Sequence, residues 1–477
     1  MKRKTRDLWV VMTLMTVMGC STADDGGYDM QRAADGQPAV DFGVYLRRST
    51  AERRAGTAGV LTTDGADGTQ SLKALGFGVF GYYTDDALYD ARTAVPDFMY
   101  NQQVAYDDGA SKWSYDPVKY WPNEAMVDHL SFFAYAPFTP VTALTGIVTG
   151  DDTQGIGAVT RATGVGNPWV RYYVSFDPSR CVDLCWATPH KNRTRYDDPA
   201  TIGETSADRV TFNFRHSLAA LNVQVKTDVD GSQPLDGNSR VWVRQVTFEG
   251  FDQSGQLSLT SDSDVPLWYD VLGGTQLGTR PVTVYDGRRD GREGAFDATT
   301  EEPVGLNPDV VQGGGYTTAP LTTTTTGVIA AARNLFKSQG ATSAAITAPV
   351  YVIPTGVPLR VNIIYDVETW DEQLLGSYLS DGVTHGRTIE NNITATVTTD
   401  GTTPLTLEAG KKYTVTLKLG LNSVKLAASV TEWGSSTTGE GELPDDPSDH
   451  TDTPVDGSGN SIDGWTDGGT TEGEYLF

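Results

Sequence analysis

Cys20 is the residue of this chain whose position most directly predicts a covalent modification. It follows Val17-Met18-Gly19 at the end of a basic start and a short apolar run, residues 8–18. The run is shorter than the about 20 residues that a membrane-spanning helix needs, so residues 1–20 are predicted to be a secretory signal peptide. A small residue directly before a cysteine resembles a lipobox, which predicts acylation of Cys20, as with palmitate, and an outer-membrane anchor. The alternative is a plain signal peptide in which Cys20 is incidental.

Two arginine pairs, Arg47-Arg48 and Arg53-Arg54, lie in a polar segment that a protease can reach. Proteolytic nicking concentrates in exposed polar loops, and this segment carries no apolar periodicity. Residues 48–55 are therefore predicted to be a cleavable hinge. The alternative is a solvated basic loop with no processing role, since charge runs usually have none.

Apart from one weak calcium-loop spacing, no other group of residues has the sequence spacing of a catalytic centre or a metal site. The five histidines form no HExxH motif or triad order, so the chain is predicted not to be an enzyme. Cys181 and Cys185 are predicted to be buried free thiols, and His216 a framework histidine. Residues 452–463 roughly follow a calcium-loop spacing, but Pro454 occupies a ligand position, so an acidic linker is favoured. No metal ion or cofactor is predicted.

The hinge follows a segment, residues 39–47, that alternates between apolar and polar positions. Period-2 alternation predicts a half-buried β-strand, and a cut in the hinge would release this strand from the body. Burial contributes about 1.5–3 kcal/mol for each large apolar side chain, so the strand is expected to seat firmly. The apolar side of this predicted removable strand consists of Val40, Phe42, Val44 and Leu46.

Composition restricts the fold and the partners. The net charge of −25 argues against a nucleic-acid partner, because nucleic-acid binders carry a basic surface. Short strand-like runs broken by Gly, Asp and Pro predict an all-β sandwich architecture. Residues 328–338, which end before Gly340, are the best candidate for a short helix.

The order of these segments predicts a domain organisation. Residues 21–38 form a spacer, and a polar stretch without periodicity, between residues 188 and 207, marks the domain junction. The predicted units are therefore an N-terminal sandwich over 39–200 and a C-terminal sandwich over 208–433. Residues 434–477 contain no lysine or arginine and are predicted to be an acidic, disordered tail.

Five motifs in a fixed order resemble those of the fimbrillin family, the Bacteroidetes-type or type V pilins. The resemblance covers roughly residues 40–433, nearly all of the predicted mature protein. Each motif alone is weak, but five in order behind a lipobox are specific together. The motifs are YWP at 120–122, LSFFAYAP at 130–137, VDLCWA at 182–187, FNFRHSLA at 212–219 and EAGKKYTVTLKLGLNSVKLAASVTEW at 408–433.

The resemblance implies two tandem transthyretin-like β-sandwich domains in a surface-exposed fimbrial lipoprotein. It also implies that a trypsin-like, arginine-specific protease removes the first strand, that a C-terminal strand of another pilin subunit fills the groove, and that the homo- or hetero-polymer supports adhesion. Such families often show Thr-Arg-Ala at the cut, and this chain has Arg53-Arg54-Ala55 instead. Cleavage is therefore expected after Arg54, with Arg53, Arg48 and Arg47 as further candidates.

Two segments are candidates for the donated strand. Family position favours Val424, Leu426, Ala428 and Val430 with the linker that follows, over the terminal Tyr475-Leu476-Phe477. Stalk, anchor and tip roles stay open, and the tail stays open as a donor strand, calcium site or linker. The competing function is a surface-anchored glycan- or protein-binding lipoprotein that does not polymerise, in which Trp113, Trp268 or Trp370 stack on sugars.

Overall fold

The computed structural model describes the chain in segments. They are residues 38–46, 61–62, 70–122, 127–143, 155–195, 209–227, 239–270, 276–286, 296–297, 333–336, 349–370, 386–399, 402–419, 424–432 and 468–475. Cys20 and the four arginines of the predicted hinge region, Arg47, Arg48, Arg53 and Arg54, lie outside the described residues, as does the tail segment 452–463.

The N-terminal half consists of short strands and one helical turn. They are β1 Asp41–Leu46, β2 Leu61–Thr62, β3 Gln70–Ser71, α1 Leu72–Leu75, β4 Phe77–Tyr83, β5 Met99–Asp107, β6 Lys112–Ser114, β7 Leu130–Ala136, β8 Gly155–Val159, β9 Trp169–Tyr173, β10 Cys185–Ala187, β11 His190–Arg193 and β12 Arg209–His216. Single 3₁₀ turns lie at Val141–Ala143 and Pro178–Arg180.

The C-terminal half adds longer strands. They are β13 Ala219–Thr227, β14 Ser239–Glu249, β15 Phe251–Asp252, β16 Ser254–Ser258, β17 Leu267–Tyr269, β18 Val282–Asp286, β19 Phe296–Asp297, β20 Arg333–Asn334, β21 Val350–Pro354, β22 Arg360–Trp370, β23 Gly386–Thr396, β24 Lys411–Leu419, β25 Val424–Glu432 and β26 Gly468–Tyr475. The predicted all-β sandwich class is confirmed. None of the described helices is both long and apolar enough to cross a membrane.

The first sheet is built around β7, whose seven residues are all buried. The strand order is β1-β12-β10-β7-β4-β5-β6, with β11 paired to a second stretch of β7. The rings of Phe42, in β1, and Tyr115, just after β6, are 5.3 Å apart between centroids. The sheet therefore curls until its two end strands approach each other, and it encloses one core cluster between them.

The other face of this sheet joins a larger core. Phe80, Phe133 and Trp186 point into it from β4, β7 and β10, and the sheet β17-β16-β9-β8 packs on the same cluster. Side chains of the two C-terminal sheets, β15-β21-β13-β24-β25-β26 and β18-β14-β22-β23, complete it. The predicted boundary between residues 200 and 208 does not separate the sheets, because β12 pairs with β1 and β16 pairs with β9.

Two local features differ from expectation. Within the predicted helix 328–338, Arg333–Asn334 form strand β20, which pairs with β13, so the helix prediction is wrong there. Leu335 and Phe336, the next two residues, are buried in the large core, and this burial favours an extended segment that reaches the sheet. Within the predicted disordered tail, Gly468–Tyr475 form β26 along β25.

Candidate functional site

The first strand lies at the edge of its sheet. β1 pairs in parallel with β12 over six residue pairs, from Asp41 with Arg209 to Leu46 with Phe214. In the strand order of the described sheet, β1 has no neighbour on its other side. Loss of β1 would therefore break one ladder and leave the order β12-β10-β7-β4-β5-β6 intact.

The inward side of β1 is buried as its alternation predicts. The exposed fractions are 1% for Val40, 1% for Phe42, 4% for Val44 and 6% for Leu46. The ring of Phe42 stacks on Phe212 of β12 with centroids 5.5 Å apart and planes at 24°. Four such side chains correspond to a gross gain of about 6–12 kcal/mol, and any replacement strand must supply similar apolar area.

The start of the strand is tied to a neighbouring loop by polar contacts. The amide of Val40 donates to the carbonyl of Lys119 at 2.8 Å, and the amide of Trp121 donates to the carbonyl of Pro38 at 3.1 Å. The hydroxyl of Tyr115 donates to the Val40 carbonyl at 2.6 Å. The YWP motif at 120–122 therefore serves to receive the beginning of the first strand.

The outward side of β1 carries two features that sequence reasoning did not assign. Asp41 pairs with Arg209 of β12, with the carboxylate Oδ2 3.5 Å from Nε. Burial raises the pKa of Asp41, and the Arg209 charge opposes that rise. Two residues on, Gly43 is directly opposite Thr211 and is buried although it faces outward. The signal in the sequence was the Asp-Phe-Gly triplet, in which a glycine interrupts the outward row.

A buried polar cluster lies in the part of the sheet beyond the end of β1. The Asp183 carboxylate Oδ2 accepts the amide of Leu61 at 2.8 Å and lies 2.8 Å from His216 Nδ1. Asp183 and Leu61 are both 0% exposed, so these contacts are formed in a low-dielectric core, where they are strong and costly to break. Asp183 therefore holds β2, the first described segment after the hinge, to β12.

Cys185 completes this cluster without making it a catalytic centre. Its Sγ lies 3.5 Å from the same His216 Nδ1 that contacts Asp183. In a nucleophilic triad the carboxylate and the nucleophile contact opposite imidazole nitrogens, so this arrangement is not a proton relay. Burial, and then the Asp183 charge, raise the pKa of the Cys185 thiol, which keeps it protonated and unreactive. Cys181 and Cys185 are both free and buried, as predicted.

Asp183, Cys185 and His216 also offer three metal-ligand atoms within 4.8 Å of one another. The 2.8 Å contact between Asp183 Oδ2 and His216 Nδ1 is a hydrogen-bond distance. Two ligand atoms around one zinc ion lie farther apart, since Zn–N and Zn–O bonds are each about 2.0 Å in a tetrahedral site. The cluster therefore holds strands together through hydrogen bonds, which agrees with the framework role predicted for His216.

His190 supports β12 from the outer part of the same sheet. Its Nε2 lies 2.7 Å from the Thr211 carbonyl, and its Nδ1 lies 3.3 Å from Arg193 Nη1. A carbonyl accepts and a guanidinium donates, so the imidazole is neutral with its proton on Nε2. Burial, with a smaller contribution from the Arg193 charge, lowers the pKa of His190 from 6.5 to about 4.

The two candidate donor strands differ in how many neighbouring strands they pair with. β25, which contains Val424, Leu426, Ala428 and Val430, pairs with β24 along its whole length and with β26 on its other side. Ala428 is 1% exposed. β26 is the end strand in the described order and pairs with β25. Donation of β25 therefore requires two ladders to open, and release of β26 requires one.

Two of the three tryptophans that suggested a glycan-binding surface, Trp113 and Trp268, have described side chains, and both pack against other residues. Trp113 is 5% exposed and packs edge-on against Phe77 with centroids 5.1 Å apart. Trp268 packs on the large core, and its indole N–H donates to the Ser217 carbonyl at 3.1 Å. The side chain of Trp370 lies outside the described residues. The ring of Trp113 is therefore buried, and the ring of Trp268 is partly buried and fixed by its hydrogen bond.

Comparison with known proteins gives one family match. The model of the family described as fimbrillin-like matches residues 66–276. No curated protein matches the chain. The match begins after the predicted hinge and extends through β12 to β17, so it covers the core that receives β1 and the strands that connect the two halves.

Several solved structures resemble the chain over most of its length. A fimbrial protein from Bacteroides vulgatus is 19% identical, with 83% of this chain and 99% of that chain covered and a TM-score of 0.47. A putative cell adhesion protein from Parabacteroides distasonis is 10% identical, with 84% and 98% covered and a TM-score of 0.40. The tip fimbrial protein Mfa3 from Porphyromonas gingivalis is 9% identical, with 82% and 99% covered and a TM-score of 0.26.

The sequence match carries the assignment, because every one of these structural likenesses has a TM-score under 0.5. The matched range includes the LSFFAYAP, VDLCWA and FNFRHSLA motifs, whose side chains pack against β1 and form the Asp183 cluster. Residues 66–276 of the chain thus match the fimbrillin-like family, which confirms the predicted resemblance over the range that holds four of the five motifs.

Proposed function

We propose that this chain is a structural subunit of cell-surface fimbriae whose first strand is a temporary occupant of its own groove. The subunit is exported as an outer-membrane lipoprotein through Cys20. An arginine-specific protease then cuts after Arg54, with Arg53, Arg48 and Arg47 as further sites. β1 leaves, and a strand from another subunit takes its place.

The observation that carries this proposal is the position of β1 at the edge of its sheet. One parallel ladder and four apolar side chains hold the strand along its length, and backbone bonds at residues 38–40 and the Asp41–Arg209 pair hold its start. Another strand of similar pattern can reproduce these contacts. Removal of β1 leaves Phe212 and Phe77 uncovered, because both rings pack on Phe42. An exposed apolar groove beside an unpaired strand edge favours pairing with another chain.

The family match supports the broader part of the proposal, a fimbrial or adhesion subunit at the cell surface, and it favours a structural role over an enzymatic one. The packing of Trp113 and Trp268 does not favour the alternative of a non-polymerising glycan-binding lipoprotein.

The processing step can be tested with the arginines. A variant with Arg47, Arg48, Arg53 and Arg54 replaced by Ala is expected to be exported and folded but to form no fibres, since β1 cannot leave. N-terminal sequencing of the surface-assembled wild-type form is expected to begin at Ala55. Normal fibres from the quadruple variant would refute the cut, and an assembled form that still carries β1 would refute strand removal altogether.

A further inference from the structure

The groove, which is the space that β1 occupies beside β12, restricts the size of the side chain at one outward-facing position of the strand. A Cβ atom built on Gly43 would lie 2.8 Å from Thr211 Oγ1 and 3.1 Å from Arg209 Nε. Both distances are shorter than ordinary contacts between carbon and these atoms, so a side chain at this position requires β12 to adjust. Position 43 therefore has no room for a side chain without an adjustment of β12, because Thr211 and Arg209 lie beside it.

The two obstructing side chains are restrained. Thr211 is β-branched and has a stiff χ1, and its backbone carbonyl is held by His190 at 2.7 Å. Arg209 lies across the strand, with Nε 3.5 Å from the Asp41 carboxylate. The side chain of Arg209 is 15% exposed, so its charge is weakly screened by solvent. A methyl group at position 43 demands a shift of a few tenths of an ångström, and a larger side chain demands displacement of both residues.

We infer that Arg209 and Thr211 of β12 select the strand that replaces β1. This inference rests on the proposed strand exchange. The selected strand carries a carboxylate opposite Arg209 and glycine or alanine opposite Thr211, between inward-facing apolar residues at alternate positions. Arg209 supplies charge complementarity, which specifies register, and Thr211 supplies a steric limit, which excludes strands of the wrong size.

These charge and size requirements also indicate which kind of subunit donates the replacement strand. If β25 is seated with Val424 and Leu426 in the places of Val40 and Phe42, Ala427 comes opposite Thr211 and satisfies the size limit. Lys425 then comes opposite Arg209, where two like charges repel. A slip by two residues places Ala427 opposite Arg209 and removes this repulsion, but the outward row of β25, Lys425, Ala427, Ser429 and Thr431, holds no carboxylate. The occupant that fits this groove is therefore a strand from a different subunit with an acidic residue at that position, rather than β25 of a second copy of this chain.

The experiment uses the full chain with a site-specific protease sequence inserted between Thr50 and Ala51. After cutting, a fluorescent peptide of residues 38–46, PAVDFGVYL, is exchanged into the groove, and competing peptides are ranked by displacement. The Gly43→Leu peptide is expected to bind about 30-fold more weakly and the Asp41→Lys peptide about 10-fold more weakly. A scrambled peptide of the same composition is the control for non-specific binding.

Two groove variants supply the matched test. Thr211→Ala is expected to recover at least about 5-fold of the binding that the Gly43→Leu peptide loses, since it removes the obstructing hydroxyl. Arg209→Glu is expected to reverse the order of the parent and Asp41→Lys peptides. A peptide of residues 424–430 is expected to bind more tightly when Lys425 is replaced by Asp.

The possible results distinguish selection of the strand by Arg209 and Thr211 from the strand exchange on which it rests. If the parent peptide exchanges but the Gly43→Leu and Asp41→Lys peptides compete within about 2-fold of it, selection by Thr211 and Arg209 is overturned and strand exchange stands. If the parent peptide never enters the cut chain, the removable strand itself is refuted, and the inference with it.

Discussion

β1 and β2 lie on either side of the predicted hinge and contact the same core, but they are held by different kinds of interaction. β1 is held mainly by alternating apolar side chains and one backbone ladder, with polar contacts at its start. Leu61, in β2, is held by a buried carboxylate that accepts its amide. Apolar area and ladder bonds can be supplied by any strand of suitable pattern, whereas the Asp183 contact is specific to one backbone position. Under the proposed strand exchange, the attachment of β1 is the exchangeable one and that of β2 the permanent one.

The largest effect is expected when the contact between Asp183 and the Leu61 amide, which holds β2, is removed. Asp183→Ala is expected to destabilise the chain by about 4 kcal/mol, because it removes the buried acceptor of the Leu61 amide and the carboxylate that contacts His216 Nδ1. Urea unfolding measures the loss, and hydrogen exchange is expected to speed up in β2 and β12 together.

Asp262→Ala is the matched control for that substitution. Asp262 pairs with Lys191 at the surface, its side chain is 71% exposed, and its removal is expected to change the free energy of unfolding by less than about 0.5 kcal/mol. Equal losses for Asp183→Ala and Asp262→Ala would contradict the role given to the buried carboxylate.

Removal of the main anchor of β1 is expected to act more locally. Phe42→Ala removes a ring that packs on Phe212, Phe132 and Tyr115, and a loss of about 3 kcal/mol is expected for a buried phenylalanine. In native-state hydrogen exchange, β1 amides are expected to exchange faster while the Leu61 amide stays protected. Tyr269→Ala, at a residue 53% exposed, is the control. Faster exchange at Leu61 in the Phe42→Ala variant would show that the two attachments are not independent.

The smallest expected effect concerns pH. In the folded chain His190 stays neutral until pH falls to about 4, whereas an unfolded histidine takes up a proton near pH 6.5. The unfolded state therefore binds more protons in this window, so the stability from His190 is full above pH 6.5 and is lost as pH falls towards 4. A pKa change from 6.5 to about 4 corresponds to about 3.4 kcal/mol, and because His190 is only partly buried, solvent screening reduces the expected loss to on the order of 2 kcal/mol.

His190→Gln, which keeps an amide donor, isolates that contribution. The difference in unfolding free energy between the wild-type chain and this variant is expected to shrink as pH falls from 6.5 to 4. A difference that does not change with pH would contradict a neutral, buried His190.

The sequence predicted features whose pattern is local. The alternation from Val40 to Leu46 identified a strand and its buried side, and both are confirmed because period-2 burial depends on adjacent residues alone. The predicted helix over 328–338 was wrong at Arg333–Asn334, because pairing with β13 overrides a weak local preference. The pairing of β1 with β12 joins residues about 170 positions apart, and no local pattern specifies it.

The roles of the residues that face the outward side of β1 could not be predicted from the sequence for the same reason. Arg209 and Thr211 fall within the predicted C-terminal sandwich, residues 208–433, and the sequence predicted no role for either residue. Their roles depend on which residues of β1 lie opposite them, so they follow from the register. Asp183 was part of a recognised motif, but its acceptor role depends on the position of Leu61, which is 122 residues away.

The short connection between β12 and β13 has a mechanical consequence. β12, which lines the groove, ends at His216, and β13, which is central in the C-terminal sheet, begins at Ala219. β13 pairs in parallel with β24 over eight residue pairs. A pulling load on a strand seated in the groove would pass through two residues into this ladder and act along it, as shear shared by many hydrogen bonds. A fibre built in this way would resist tension without a soft joint inside each subunit.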